Sequence, residues 1–449
     1  MVQKLKMGFV ALFLVICLVP SLGLAVTGVT SESSENRELA SWPSLEEEDG
    51  WNLEFFSDLG AWFDDHFALR EELVAAYGMI TGKVFGTSAQ ENVIVGTNGW
   101  LYYMDSLADY QGSDLMTERQ LFDAAHTLAM IQTYAEENGV DFIFTIAPNK
   151  ASLYGENMPY YYSYFREEEN NLTHFLTWLE SEEVNYVDLY EVFEEQDEVL
   201  YHTRDSHWNN KGAALAADTL LTALGQEHRS YENADYIVRT DYSGDLDAMV
   251  YPAALTLEDE IYYDPEPQFT YVNEVGSNYD AKIYTQSDGT GSLVMYRDSF
   301  CNALLPFLAE SFESAYFSRG VPYQLATDLV SCGATTLMIE RAERFIPELA
   351  QNPPVMAGLL VLDGSADGLD FTESITDFEQ SETGAYTKLS GTLEAGSYAV
   401  DSQIYIRIND YLIYEAFPVS VDDETEGFVL YVPTAILNTD ANRIEMGIS

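Results

Sequence analysis

Ser292-Leu293-Val294-Met295-Tyr296-Arg297-Asp298-Ser299-Phe300-Cys301 is an apolar run, a polar turn and the start of a second apolar stretch that continues to residue 310. Residues 292–296 predict a short buried strand and residues 301–310 a helix. Ser299 then falls between a strand's carboxyl end and a helix's first turn. In α/β folds that position exposes Oγ and aims backbone N–H groups at a developing oxyanion. Ser and Asp are also ordinary helix caps, so the turn alone does not decide between chemistry and capping.

A second stretch bears on that choice. Tyr201-His202-Thr203-Arg204-Asp205-Ser206-His207-Trp208-Asn209-Asn210-Lys211-Gly212 opens onto an Ala-rich run, residues 213–224, whose spacing and Gly225 stop predict a helix. Asp205 thus sits two residues from His207 at the mouth of that helix. A carboxylate bonded to one ring nitrogen fixes the tautomer and leaves the other nitrogen free to take a proton. The alternative is a capping Asp205 and a His207 that packs beside Trp208.

Around these stretches the chain alternates. Helices are predicted near 118–138, 172–182, 323–330 and 344–349, and strands at 141–147, 185–189, 315–317 and 335–340. Such alternation implies a parallel sheet covered by helices on both faces, with a site at the strands' carboxyl ends. A Tyr- and Asp-rich excursion, 239–286, interrupts it. Residues 51–85 show helical spacing, with Leu53, Phe56, Leu59, Trp62, Phe63 and Phe67 on one stripe that reads as core, and His66 as structural.

Several of these pieces resemble a known family. The Asp205-Ser206-His207-Trp208 box resembles the signature of the DHHW family, and Asp298-Ser299-Phe300 resembles the Gly-Asp-Ser-Phe block of SGNH hydrolase-like proteins; both are similar to periplasmic alginate O-acetyltransferases. Residues 33–40, 63–70, 95–102, 147–150 and 243–246 fit the same pattern in order, so the resemblance spans roughly residues 33–350. It implies a flavodoxin-like, SGNH-like α/β fold and an acyl-transfer site in which Ser299 is the nucleophile, His207 the base and Asp205 its orienter. Two positions depart from the pattern: Ser206 stands where the family name has a second His, and Arg297 where the serine block has Gly. Arg297 either strains the turn or holds an anionic sugar. Asn149 and Lys150, in Pro148-Asn149-Lys150 at a strand's carboxyl end, are candidates to bind an oxyanion or a saccharide carboxylate, with a turn and a surface ion pair as the alternative. Trp208, beside the base, is a further candidate for substrate contact. The resemblance also implies a polysaccharide acceptor and a membrane partner protein that supplies acetyl groups. The chemistry requires no metal and no organic cofactor.

Composition sets outer limits. With 449 residues and 47% hydrophobic content, there is material for two or three packed units. A net charge of -55 excludes nucleic-acid binding, which needs clustered Lys and Arg. Lys4 and Lys6 precede an apolar run, 7–19, and then Pro20 and small residues. Residues 1–26 read as a secretory signal or, at about twenty residues of span, a membrane anchor. The body is then extracytoplasmic. After the leader only Cys301 and Cys332 remain, which read as small hydrophobes rather than a disulfide.

The expected organisation is therefore a leader (1–26), a polar tether (27–50), the α/β domain (51–350), a linker (351–380) and a small β-sandwich (381–449). Residues 363–370 resemble a calcium loop with Gly at the sixth position, but Ser374 stands where the bidentate Glu belongs, which favours an acidic linker. Short runs at 398–400, 403–408 and 427–432 between turn residues predict the sandwich, and their alternating tyrosines suit either a carbohydrate-binding face or plain packing. The leading expectation is an O-acetyltransferase acting on a cell-surface or secreted polysaccharide. The alternatives are an acetyl-polysaccharide esterase and a noncatalytic glycan-binding surface protein.

Overall fold

A computed structural model describes residues 2–27, 39–47, 50–82, 86–167, 169–362, 364–372, 375–394, 396, 398–422, 425–438 and 442–449. Most of the expected tether, and Asp363 and Ser374 of the calcium-like loop, lie outside these residues. The leader falls in a helix, Val2–Thr27. Among the described residues no helix is long and apolar enough to cross a membrane, so the anchor alternative finds no support.

The main sheet contains β1 (Asp141–Ala147), β2 (Tyr186–Val187), β3 (Thr270–Tyr271), β4 (Lys282–Gln286), β5 (Ser292–Tyr296), β6 (Ser314–Ser318) and β7 (Thr336–Ala342). Their order is β2-β1-β7-β5-β6-β4-β3. The first five run parallel, as the alternation predicts. β4 and β3 join antiparallel at one edge and make the sheet mixed. Both strands come from the end of the 239–286 excursion.

β5 and β7 are buried along their whole length, because helices cover both faces. Side chains of a strand alternate between faces, and the core divides accordingly. Ile143, Leu293, Met295 and Met338 face α3 (Asn210–Ala223) and α4 (Cys301–Ser311). Phe144, Val294, Tyr296 and Leu337 face α1 (Glu118–Glu137), α2 (Asn171–Ser181) and α5 (Leu325–Cys332). Helix starts follow local chemistry: Thr117 and Gln120 form a capping box on α1, and Asn209 Oδ1 accepts the N–H groups of Lys211 and Gly212 on α3.

The stripe in residues 51–85 differs from expectation. Two helices, Phe55–His66 and Arg70–Ile80, break at Leu69, whose φ is +65°. Leu53 and Phe56 are 95% and 84% exposed, and the other stripe residues are only half-buried. Of this helix's residues only His66 is buried, its Nδ1 donating to the Trp62 carbonyl at 2.7 Å. Cys301 and Cys332 are free, as expected.

The C-terminal region is all antiparallel: β8 (Ile375–Thr383), β9 (Tyr386–Leu393), β10 (Ile404–Ile408), β11 (Leu412–Ser420), β12 (Glu426–Pro433) and β13 (Ile444–Ile448). The order β8-β9-β12-β11-β10-β13 makes one continuous sheet curled as a half-barrel, because β11 pairs with both β12 and β10. Leu389, Ile406, Ala416, Leu430 and Met446 fill its concave side. The short strand expected at 398–400 is a turn, and Tyr405, Tyr414 and Tyr431 are buried, so the tail's alternating tyrosines serve packing.

β11 also packs against α1 through Phe417, and the contact is ionic at its edges. Arg119 pairs with Glu426 at 2.9 Å and Asp123 at 3.0 Å and donates to the carbonyls of Val400 and Ser402. His126 bridges Glu182 and Glu415 at 2.7 and 2.9 Å. Burial alone would lower its pKa, but the two carboxylates outweigh it and raise the pKa to about 9. Arg119→Met strands two buried carboxylates and is expected to cost about 3–5 kcal/mol, seen as a lower urea midpoint. Adding Asp123→Asn and Glu426→Gln should recover most of that loss; an unchanged midpoint in the single variant would remove the latch from the account.

Candidate active site

The site is built on a loop closed by its own ends. Tyr201 bridges Trp208, and the Asn209 N–H donates to the Leu200 carbonyl at 2.8 Å. This turns the carbonyls of His202, Thr203 and Asp205 inward, where they converge on the ammonium of Lys150. Lys150 is fully enclosed, with the rings of Trp100 and Tyr102 over its Nζ. Burial lowers its pKa to about 8, against the pull of Asp205, Asp245 and Glu258. Lys150 is therefore a hub that shapes the His207 loop, not a group free to meet a ligand.

The outside of the loop is held by the excursion. Tyr236–Ser243 and Leu257–Tyr263 pair as an antiparallel ribbon. From it the Glu258 carboxylate accepts the N–H groups of Thr203 and Arg204, and Glu260 bonds His202 Nε2 at 2.9 Å. Asp247, on the short helix between the two strands, pairs with Arg204.

Held in this way, Asp205 Oδ1 receives His207 Nδ1 at 2.8 Å, and His207 Nε2 lies 2.8 Å from Ser299 Oγ. Residues from distant stretches of chain are joined in one line of hydrogen bonds. Trp208 ties the stretches together: its Nε1 donates to the Phe300 carbonyl at 3.0 Å, and the two rings meet edge to face at 5.0 Å. Its ring is buried, so its place is packing rather than contact with a ligand.

Three residues to which the sequence reading gave no role at the site, Tyr242, Asp245 and Ser206, complete the surroundings of Asp205. Its Oδ2 accepts Tyr242 OH at 3.0 Å and the Asp245 N–H at 2.8 Å. The Asp245 carboxylate in turn accepts the N–H and Oγ of Ser206. Burial pushes Asp205 upward, but the His207 charge and the donors around it bring its pKa well below the usual carboxylate range. Burial would also lower the His207 pKa; the Asp205 charge and hydrogen bond, with Asp245 behind them, raise it instead. Asp205, His207 and Asp245 lie close enough together to suggest metal ligands, yet their oxygens are already filled by these donors.

The Ser299 turn is pinned from below. Asp298 accepts the N–H groups of Phe300 at 2.9 Å and Ala342 at 2.6 Å, and its own N–H donates to Glu340 at 3.1 Å. Arg297, in place of Gly, points away from the site. It is buried and donates to the carbonyls of Asn278 and Asp280 and to Asn302 Oδ1. It staples the 276–280 loop to the turn. Asn149 is likewise occupied, donating to Asp109 and Glu343 and accepting from Arg344.

Above Ser299 opens a cavity of about 520 Å³. Arg70, Arg319 and Arg344 line it with Tyr103, Tyr279 and Asp105. Three guanidinium groups at one cavity are notable in a chain with 20 basic residues against 75 acidic ones. Arg344 lies two residues past the end of β7, with its guanidinium over Phe345 at 4.7 Å and Phe300 at 5.6 Å. Its Nε and the Asn302 Nδ2 are buried and without hydrogen-bond partners among the described residues.

Comparison with known proteins adds the following. No curated protein matches the chain. Among solved structures, Bacillus cereus PatB1 with a sulfonyl adduct is 16% identical, covering 57% of this chain and 97% of its own, at a TM-score of 0.44. A DHHW family protein from Eubacterium siraeum is 18% identical, covering 58% and 93%, at 0.43. The O-acetyltransferase domain of Pseudomonas putida AlgJ is 16% identical, covering 57% and 92%, at 0.37. Residues 93–279 match the family described as "SGNH hydrolase-like domain, acetyltransferase AlgX"; the match includes the His207 loop and Asp245 and ends before Ser299. Over those residues the chain is thus similar to the SGNH hydrolase-like domain of the acetyltransferase AlgX, the resemblance to which its motifs pointed.

Proposed function

We propose that the protein is an extracytoplasmic O-acetyltransferase acting on polysaccharide through an acetyl-serine intermediate. The observation that carries this reading is the unbroken line Asp205–His207–Ser299, with both hydrogen bonds at 2.8 Å, opening on the cavity. His207 Nε2 takes the Ser299 proton as Oγ attacks the acetyl carbonyl, and returns it to the leaving oxygen of the donor. A sugar hydroxyl then gives its proton to His207, attacks the acetyl-serine and releases Ser299. Asp205 stabilises the imidazolium in each half. Arg344, which lines the cavity, is the candidate to offset charge on the intermediate.

The apolar leader and the AlgX-type match support an extracytoplasmic place; a membrane partner protein as the source of acetyl groups belongs to the same proposal. Hydrolysis by the same residues gives an acetyl-polysaccharide esterase, and the acceptor decides between them. A noncatalytic glycan-binding protein would need none of this alignment.

The test is acetyl release from p-nitrophenyl acetate, with and without acceptor oligosaccharides. Ser299→Ala and His207→Ala are expected to lower the rate by roughly 10³-fold or more while the circular dichroism spectrum is retained. Undiminished rates in both variants would end the enzyme reading, and a product rate indifferent to every acceptor would convert it to the esterase.

The pH profile follows from the raised His207 pKa. His207 must be neutral to accept a proton, so the ascending limb of kcat/KM should lie above about pH 6.5, the ordinary imidazole value. Asp205→Asn removes the charge that raises it. The limb should then move to lower pH, and the rate should fall by about 10³–10⁴-fold as the tautomer is lost. A wild-type limb below pH 6 would contradict the assignment.

A further inference from the structure

A cluster of exposed aromatic side chains lies outside the cavity. Residues 159–165 read Pro-Tyr-Tyr-Tyr-Ser-Tyr-Phe. Tyr160, Tyr164 and Phe165 are 84%, 82% and 66% exposed. Their rings are arranged in edge-to-face pairs, Tyr160 with Tyr161 at 5.6 Å and Tyr164 with Phe165 at 5.4 Å. Desolvating one such ring is favourable, and monomeric proteins rarely leave several together in water without a use.

The segment is anchored rather than loose. Tyr162 packs on the cluster of Trp100, Tyr102, Tyr110 and Met158, and its carbonyl accepts Gln111 Nε2 at 3.0 Å. Ser163 Oγ bonds Tyr110 OH at 2.9 Å. Both anchors reach the helix Leu107–Gln111, which begins just after Tyr103 and Asp105 in the cavity wall. From Asp105 to Gln111 a helical rise covers roughly 9 Å. The segment follows the carboxyl end of β1 through two short helices, Lys150–Leu153 and Gly155–Asn157, and β1 runs parallel to β5, from which the Ser299 turn leaves. The aromatic rings are therefore tied to the far end of a short helix that begins at the cavity wall.

We propose that Tyr160, Tyr164 and Phe165 form a stacking shelf for the acceptor glycan, holding sugar units beyond the one that reacts. This rests on the polysaccharide reading above and extends it to a subsite. A cavity of about 520 Å³ takes a short piece of a polymer, so the remainder of the chain must cross the rim. Flat aromatic faces meet the C–H side of a pyranose ring, and tyrosine hydroxyls meet its edge. Exposed Glu156, Glu167 and Glu169 flank the shelf and accept sugar hydroxyls. The same carboxylates, in a chain of net charge -55, disfavour an anionic bilayer as the occupant. The buried tyrosines of the tail leave that role open to this loop.

The experiment compares the full-length protein with the Tyr160→Ser/Tyr164→Ser/Phe165→Ser variant. The probes are cello-, chito- and manno-oligosaccharides of two and six units in titration calorimetry, with p-nitrophenyl acetate cleavage run in parallel. The wild type is expected to bind at least one six-unit series about tenfold tighter than its two-unit member, and the triple variant to lose that preference while ester cleavage stays unchanged. Tyr160→Phe/Tyr164→Phe should keep it. A triple variant that retains the length preference overturns the shelf, as does a wild type that shows none. Loss of binding to phosphatidylglycerol vesicles in place of glycan binding overturns it too. Failure of the acetyl-transfer reading appears separately, as intact ester cleavage in Ser299→Ala.

Discussion

One ammonium group organises the site. Lys150 donates to three backbone carbonyls of the His207 loop, so the loop is wrapped around a buried charge that its own peptide dipoles solvate. Without that charge the carbonyls would point inward with nothing to bond, and the closure that the loop's ends begin would leave buried polar groups unsatisfied. Everything beyond depends on the closure: the turn of Asp205 toward His207, the seat of Trp208 against Phe300, and the reach of His207 to Ser299.

The sheet supplies the other half of the arrangement. β1, β5 and β7 run parallel, so Lys150, the Ser299 turn and Arg344 all emerge on one rim. The ribbon before the edge strands, with the short helix between its two strands, brings acids to the far side of the loop. Glu258, Glu260, Asp245 and Asp247 each accept from it or pair with it, so the loop is gripped by a cation within and carboxylates without. Such preorganisation fixes donors before any ligand arrives.

The fold was legible where periodicity carries it. Continuous apolar runs at β1, β5 and β7 and amphipathic helices between them read directly as a covered parallel sheet. The antiparallel edge was not legible, because β3 and β4 are short, half-exposed strands inside a stretch rich in Tyr and Asp. Leu53 and Phe56 misled, since an apolar stripe reports only that a helix has two faces and not that anything covers one. At the site, the loop of Asp205 and His207 and the turn of Ser299 stood out through residue type and position. Asn149, Lys150, Arg297 and Trp208 stood out in the same way yet proved buried and engaged, because a polar residue at a strand's end looks alike whether it faces a cavity or braces a loop. Asp245 and Arg344 carry no such local signal of partnership; only the folded chain shows whom they meet.

The C-terminal half-barrel does not behave as an appendage. One helix, α1, offers Arg119, Asp123 and His126 to it while its opposite side packs under β1. A chain cut before β8 would expose these charges on the helix that supports the central strand and remove Glu426, Glu415 and Ser420 from them. Swapping this tail between homologues would therefore demand that three or four positions on the helix travel with it, so the two halves are bound to diversify as a unit.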